Sequence, residues 1–229
     1  MPRIARLKHA GLTYHIISRG NNKLKIFHED VDYVKYLEIL SKYRDKFKFE
    51  LYNFVLMLNH VHLLLKAEDD ISFIMHRINL SYAQYYKFKY KHIGHFWQDR
   101  FKSYIVEENS YLLALAKYIE TNPMRTLSCI SPEDYPYSSY HYYAYGKKCD
   151  IITTNPLYNS FGVDELDRQK RYRDFIFDAN IQKPEPIRSQ FIASPEYIRN
   201  LLNIKLKERA KPKRGRPKKN QEKLISNLL

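Results

Sequence analysis

Leu58-Asn59-His60-Val61-His62-Leu63-Leu64-Leu65 closes an apolar run that begins at Phe54. Val and Leu dominate it, so it reads as an interior β-strand rather than a surface loop. Side chains on a strand alternate between faces. Val61, Leu63 and Leu65 then point one way, and His60 and His62 point the other. Two imidazoles on one face of a sheet make a bidentate metal site. The competing reading is two hydrogen-bonded polar residues on a solvated face. What lies on either side decides between them.

Residues 12–18, Leu-Thr-Tyr-His-Ile-Ile-Ser, are β-branched and aromatic and read as the first strand. Arg19-Gly20-Asn21-Asn22 ends it with turn residues. Asp30 is placed to cap a helix over 31–47, with Val34, Leu37, Leu40 and Tyr43 as its apolar face. Residues 49–57 form a second strand, and Asn59 marks the bend into the histidine strand, which extends to 66. Asp69-Asp70 precede a helix over 71–90, with Ile74, Ile78 and Tyr85 on its buried stripe. His92 to Lys102 is an aromatic and basic loop containing Gly94 and the single Trp, Trp97. That loop suits either a grip on a single strand or closure over the core. Residues 103–107 form the fourth strand. Asn109 N-caps a helix over 110–121, whose core stripe is Leu112, Leu115, Ala116 and Ile119, and Pro123 is expected to end it. Strand, helix, strand, strand, helix, strand, helix is a split βαβ order. The expected fold class is α+β: a ferredoxin-like antiparallel sheet of four strands with helices on one face. The other face is left for a site.

The whole chain of 229 residues carries a formal net charge of +14 with pI near 9.5, a field that favours a polyanion such as nucleic acid. Its 21 tyrosines, many of them among Lys and Arg, suit base stacking or ordinary core packing. Two cysteines without a CxxC pair exclude a zinc ribbon and a disulfide framework, and reduced cytosolic thiols are expected. The basic N-terminus lacks an apolar segment of signal-peptide type. No run approaches the roughly 20 apolar residues of a membrane span. The expected location is cytoplasmic and nucleoid-associated, with no membrane partner.

Tyr118 falls off the centre of its helix stripe, and Asn122 lies one turn further on the same side. The pair is either catalytic or an ordinary half-buried Tyr and a helix-ending Asn. Joined to the histidines it makes a reaction. His60, His62 and the Asn122 amide oxygen are N and O ligands of the kind that suit Mg²⁺ or Mn²⁺. Such an ion would polarise a scissile phosphate. Tyr118, a phenol of ordinary pKa about 10, would be the activated nucleophile. Attack on phosphorus stores the phosphodiester energy in a phosphotyrosine bond, which suits joining rather than hydrolysis.

His60-Val61-His62 resembles the His-hydrophobe-His (HUH) motif of single-strand DNA endonucleases. Tyr118-Ile119-Glu120-Thr121-Asn122-Pro123 resembles the catalytic segment of the REP-associated tyrosine transposases, relatives of the insertion-sequence single-strand transposases. Residues 14–21 and 94–101 are similar to that family too, so four separated motifs stand in order within residues 1–145. The resemblance implies a ferredoxin-like catalytic domain that cleaves and joins single-stranded DNA with metal. It further implies a 5′-phosphotyrosine intermediate and short hairpins from palindromic extragenic repeats as substrate. His60, His62 and Asn122 match the metal ligands and Tyr118 the nucleophile. The insertion-sequence relatives carry Gln where this chain has the shorter Asn122. Arg19, Asn21, Trp97, Arg100 and Arg125 are the expected DNA contacts. Relatives act as monomers or as homodimers that exchange helices.

Composition changes after 146, and residues 146–210 are expected to be a helical extension, with helices over 163–178 and from Pro195 to about 210. Lys183-Pro184-Glu185-Pro186 reads as a linker. Residues 211–229 form a basic tail in which Arg214-Gly215-Arg216-Pro217 resembles an AT-hook. There Gly215 lets the backbone approach a narrow minor groove while Arg214 and Arg216 reach into it, so AT-rich duplex is a further expected partner. Two other functions compete: a hairpin-binding repressor that no longer cuts, and a zinc hydrolase that would need His92 or His95 as a further ligand.

Overall fold

The computed structural model describes residues 9–181, 183–186 and 190–210, so the AT-hook-like segment at Arg214, Gly215 and Arg216 lies outside the described residues. The chain divides into two compact units, Met1–Ser194 and Pro195–Leu229. In the second unit the helix begins at Pro195, where a proline is tolerated because a first-turn N–H has no intrahelical partner.

In the first unit, β1 (Leu12–Arg19), β2 (Glu50–Met57), β3 (His60–Ala67) and β4 (Lys102–Val106) form the sheet, in the order β2-β3-β1-β4. All three of these pairings are antiparallel, which is the ferredoxin-like arrangement expected. A two-residue strand, β5 (Phe191–Ile192), adds to β4 in parallel. Beyond β2, Leu56 donates its N–H to Tyr137 O at 2.9 Å, and Ser139 N–H donates to Phe54 O at 3.0 Å.

One face of the sheet carries Val61, Leu63 and Leu65, all fully buried. It is covered by α1 (Asp30–Phe47) and α2 (Ile71–Tyr90), which pack on each other. Ser18 on that face exchanges hydrogen bonds with Asn79 of α2 at 3.0–3.3 Å. Asp70 caps α2 by accepting from Ser72 N–H at 2.9 Å. Asp32, in the first turn of α1, accepts from His28 N–H, Tyr85 Oη, Tyr90 Oη and Lys89 Nζ, all within 2.6–2.8 Å. Burial opposes its charge, but Lys89 and the tyrosines outweigh burial and hold this carboxyl well below the usual range.

Three expectations for α1 and the sheet change. The helix starts at Asp30 with Glu29 as its N-cap, one residue earlier than read, because Asp32 accepts the Glu29 N–H at 3.1 Å. Val34 is half exposed, and the buried stripe is Tyr33, Tyr36, Ile39 and Leu40. Phe27 turns the helix by stacking on Tyr33 at 4.3 Å and meeting Tyr36 edge-on. The helices are also not confined to one face. On the histidine face, α3 (Ser110–Glu120) buries Leu112, Leu115, Ala116 and Ile119 against Val55, Met57 and Leu64.

Pro123 does not end the helical path. The chain kinks at Thr121 and resumes as α4 (Asn122–Arg125), with the proline in its first turn, where its missing N–H costs nothing. Farther on, α5 (Tyr140–Tyr145) and α6 (Glu165–Phe177) enclose a tyrosine-rich cluster of Tyr140, Tyr143, Tyr158 and Tyr172. Much of the tyrosine content is therefore core. Tyr143 Oη, for example, donates to Tyr52 O at 2.7 Å.

Candidate active site on the histidine face

The register of β1 and β3 places Ile17 opposite His62 and Arg19 opposite His60. The hairpin turn at Leu58-Asn59 sends β3 back beside β2, and alternation leaves both imidazoles on the α3 face, their rings 5.0 Å apart. His62 is buried and His60 half-buried. α3 crosses this face so that the Tyr118 ring lies edge-on to His62 at 5.7 Å. The Asn122 amide at the start of α4 lies 3.5 Å from His62 Nε2. These four residues, distant in sequence, meet at one place.

A cleft of about 460 Å³ opens over three of them, and Asn122 is buried outside its lining. His60, His62 and Tyr118 line it, with Arg19, Arg100, Lys102, Tyr104 and Lys183, and Asp99 is its one carboxylate. The Arg125 guanidinium lies 5.5 Å from the Tyr118 ring centroid. The cleft is thus strongly cationic around a phenol.

Both imidazoles are kept neutral. Burial, then the charge of Arg19, pulls His60 down to about 4. Burial and the neighbouring His15 push His62 well below its ordinary value. Each ring is also oriented from behind. His60 Nδ1 lies 2.6 Å from Asn59 Oδ1, an arrangement in which Nδ1–H donates and Nε2 is left as a lone pair. His62 Nδ1 lies 2.8 Å from His15 Nε2, and the two rings stack at 5.1 Å. A His62 Nδ1–H donated to His15 frees Nε2 on the side facing Asn122. Two neutral imidazoles with backing partners, and an amide able to turn its oxygen inward, fit a hard-to-intermediate divalent cation. Among the described residues no group of three or more His, Cys, Asp or Glu could hold a metal. His92 instead packs near Tyr86 and Phe96, so the ligand set required by a zinc hydrolase is not assembled.

Of the residues expected to touch DNA, Arg19, Arg100 and Arg125 are exposed at or beside the cleft. Asn21 does not line it. Its N–H donates to Phe96 O at 2.8 Å, and it opens the short 3-10 turn 21–23, where Asn22 takes φ +47°. Gly20 is required at that turn, since a Cβ there would lie 2.5 Å from Leu24 O. Trp97 closes over the core: its Nε1–H donates to Asn79 O at 2.9 Å and its ring meets Phe96 at 4.7 Å.

Three contributors were not legible in sequence. His15 lies in a strand whose register no local pattern reveals. Lys183 sits in a stretch that reads as a linker, yet its Nζ is 4.6 Å from the Tyr118 ring centroid. Glu120, between Tyr118 and Asn122, is fully buried on the opposite side of α3. It accepts from Asn53 Nδ2 at 2.8 Å, Ser139 Oγ at 2.5 Å and Tyr172 Oη at 2.9 Å. Burial raises its carboxyl to about 7 against these donors.

Comparison with solved structures finds the same fold in "Structure of the REP associates tyrosine transposase bound to a REP hairpin". It shares 19% identity at a TM-score of 0.55, covering 67% of this chain and 92% of that one. A crystal structure of a candidate transposase from Deinococcus radiodurans aligns more weakly, with 17% identity and a TM-score of 0.37 over 56% of this chain and 96% of that one. Curated proteins yield no match. The family described as "Transposase IS200 like" matches residues 8–122, just over half of the sequence and the stretch that holds His60, His62, Tyr118 and Asn122. The chain belongs to the IS200-like transposase family.

Proposed function

We propose that this transposase cleaves and rejoins single-stranded, hairpin-bearing DNA through a 5′-phosphotyrosine at Tyr118. The observation that carries the reading is the meeting of the Tyr118 ring with His62 and His60 in one cationic cleft. His60, His62 and Asn122 would hold Mg²⁺ or Mn²⁺, with Asn59 and His15 orienting the imidazoles. When bound, the cation neutralises charge developing on the scissile phosphate.

The protein's own residues account for the rest. Arg19, Arg100 and Lys102 draw the phosphate backbone into the cleft. Tyr118 Oη attacks phosphorus, the P–O3′ bond breaks, and the phenolic proton ends on the departing 3′-hydroxyl. The phosphotyrosine keeps the energy of the broken bond, so a second 3′-end reverses the step and joins strands. α3 and α4 hold Tyr118 and Asn122 on one side of the same helical path, which fixes nucleophile against metal ligand. The hairpin held by the solved structure of similar fold supports a hairpin as the substrate. In this reading residues 1–145 are catalytic, 146–210 a helical extension, and the tail from 211 adds duplex affinity.

Incubation with labelled hairpin oligonucleotide and Mn²⁺, followed by a denaturing gel, tests it. Wild type should give a protein band shifted by covalent DNA, and Y118F should give none. An adduct from Y118F at the wild-type rate overturns the assignment. Binding of the hairpin unchanged by EDTA, with no adduct from wild type, would establish a binding protein instead.

A further inference from the structure

We propose that Lys183 is a further catalytic residue, seated to bind a non-bridging oxygen of the scissile phosphate while Tyr118 attacks; this rests on the cleavage reading above. Lys183 Nζ lies 4.6 Å from the Tyr118 ring centroid, and Lys183 lines the same cleft as His60 and His62. It does not come from the sheet or from α3. It comes from the segment between α6 and β5, outside the stretch matched by the family.

That segment is tied down on both sides of Lys183. Upstream, Lys117 of α3 donates its Nζ to Asp178 O. Downstream, Ile105 N–H of β4 donates to Gln190 O at 2.8 Å. Both tethers belong to elements that form the site. Pro184 directly follows Lys183 and confines it to extended backbone, and Pro186 stiffens the next step. The segment that carries Lys183 is therefore anchored at Asp178 and Gln190 to elements that form the site.

The chemistry asks for such a group. In-line attack concentrates negative charge on the non-bridging phosphate oxygens, and a fixed cation beside them stabilises that charge more than it stabilises the bound substrate. Lys183 takes no part in the proton transfer. The Tyr118 Oη–P bond forms, the P–O3′ bond breaks, and the phenolic proton goes to the 3′-oxygen. A lysine that merely rests its stem and charge on a tyrosine ring would show the same distance and no kinetic role.

Single-turnover adduct formation with hairpin oligonucleotide and Mn²⁺, measured beside hairpin affinity, separates the two. K183A should slow adduct formation about 100- to 1,000-fold with hairpin Kd unchanged, and K183R should recover most of the rate. K183A at the wild-type rate overturns the proposal, as does a faster K183A, which would make the segment a cover. A rate loss matched by a loss of hairpin affinity overturns it too. Absence of adduct from wild type overturns the cleavage reading itself, and Lys183's role with it.

Discussion

Two polar clusters flank the same helix and differ in one respect. On one side of α3, Glu120 takes a hydrogen bond from each of Asn53, Ser139 and Tyr172 and is closed from solvent. On the other side, Tyr118 and neutral imidazoles line an open cationic cleft, with Asn122 buried beside His62. Both clusters place polar groups where burial is costly. The first is satisfied internally, so it fastens α3 to β2, α5 and α6. The second gathers imidazoles and cations at an open cavity, and the Asn122 amide meets His62 Nε2 at a long 3.5 Å, a contact that a ligand can replace. Buried polarity points to a ligand site where it borders a cavity with weak contacts, and to a fastener where it is closed from solvent by short ones.

Substitutions on the two sides should part stability from activity. The largest effect is expected for H62A, which removes one of the proposed metal ligands. Adduct formation should fall by more than the ~100-fold typical of an outer-sphere change, while the thermal midpoint of metal-free protein holds or rises. A drop in that midpoint comparable to E120A would erase the contrast. E120A should cost about 3 kcal/mol, because Asn53, Ser139 and Tyr172 are left buried without their acceptor. Urea unfolding reads this directly, and a change below about 0.5 kcal/mol would show that the cluster fastens nothing.

H15A sharpens the open side. With its backing partner gone, His62 should bind Mn²⁺ about 10- to 100-fold more weakly, as read by calorimetry, with hairpin binding in EDTA unaffected. Equal Mn²⁺ affinity would reduce His15 to packing.

The smallest effect is in pH dependence, where the clusters oppose each other. Burial, with Lys183 adding to it, holds His15 down to about 3, so only the unfolded chain gains that proton as pH falls below 6.5. Stability from this side is complete above pH 6.5 and drains away on acidification. Glu120 runs the other way. Raised to about 7 by burial, it stays protonated in the fold while the unfolded chain ionises above about 4.5, so its share drains as pH rises toward 7. E120Q, which cannot ionise, should therefore show a steeper gain of stability between pH 4.5 and 6.5 than wild type, by up to about 1.4 kcal/mol per pH unit. Parallel curves for the two proteins would remove Glu120 from the titration.

Much of this contrast was legible in sequence on its open side and little on its closed side. The alternation of His60 and His62 with Val61 and Leu63 fixes their face without reference to any other strand, and the i, i+4 spacing of Tyr118 and Asn122 survives the kink at Thr121. α2 begins and ends where its apolar period and Asp70 predict. Glu120 carries no local signal of its burial, because its three donors come from Asn53, Ser139 and Tyr172, which no local window joins. Tyr33 and Tyr36 were passed over in favour of Val34 because tyrosine reads as amphipathic until Phe27 supplies a ring to stack on. Lys183, just ahead of Pro184-Glu185-Pro186, has the composition of a spacer, and the pairing of β5 with β4 and the Lys117–Asp178 contact bring its segment back to the cleft.

The margins of the sheet bear on assembly. β2 hydrogen-bonds outward to residues 137–139, and β4 is flanked by β5. The guard on the β4 side is two residues long, pairing Ile105 and Val106. A second copy could extend the sheet past β2 only by peeling away residues 137–139, so pairing of intact folds on that side must run through helical or loop surfaces.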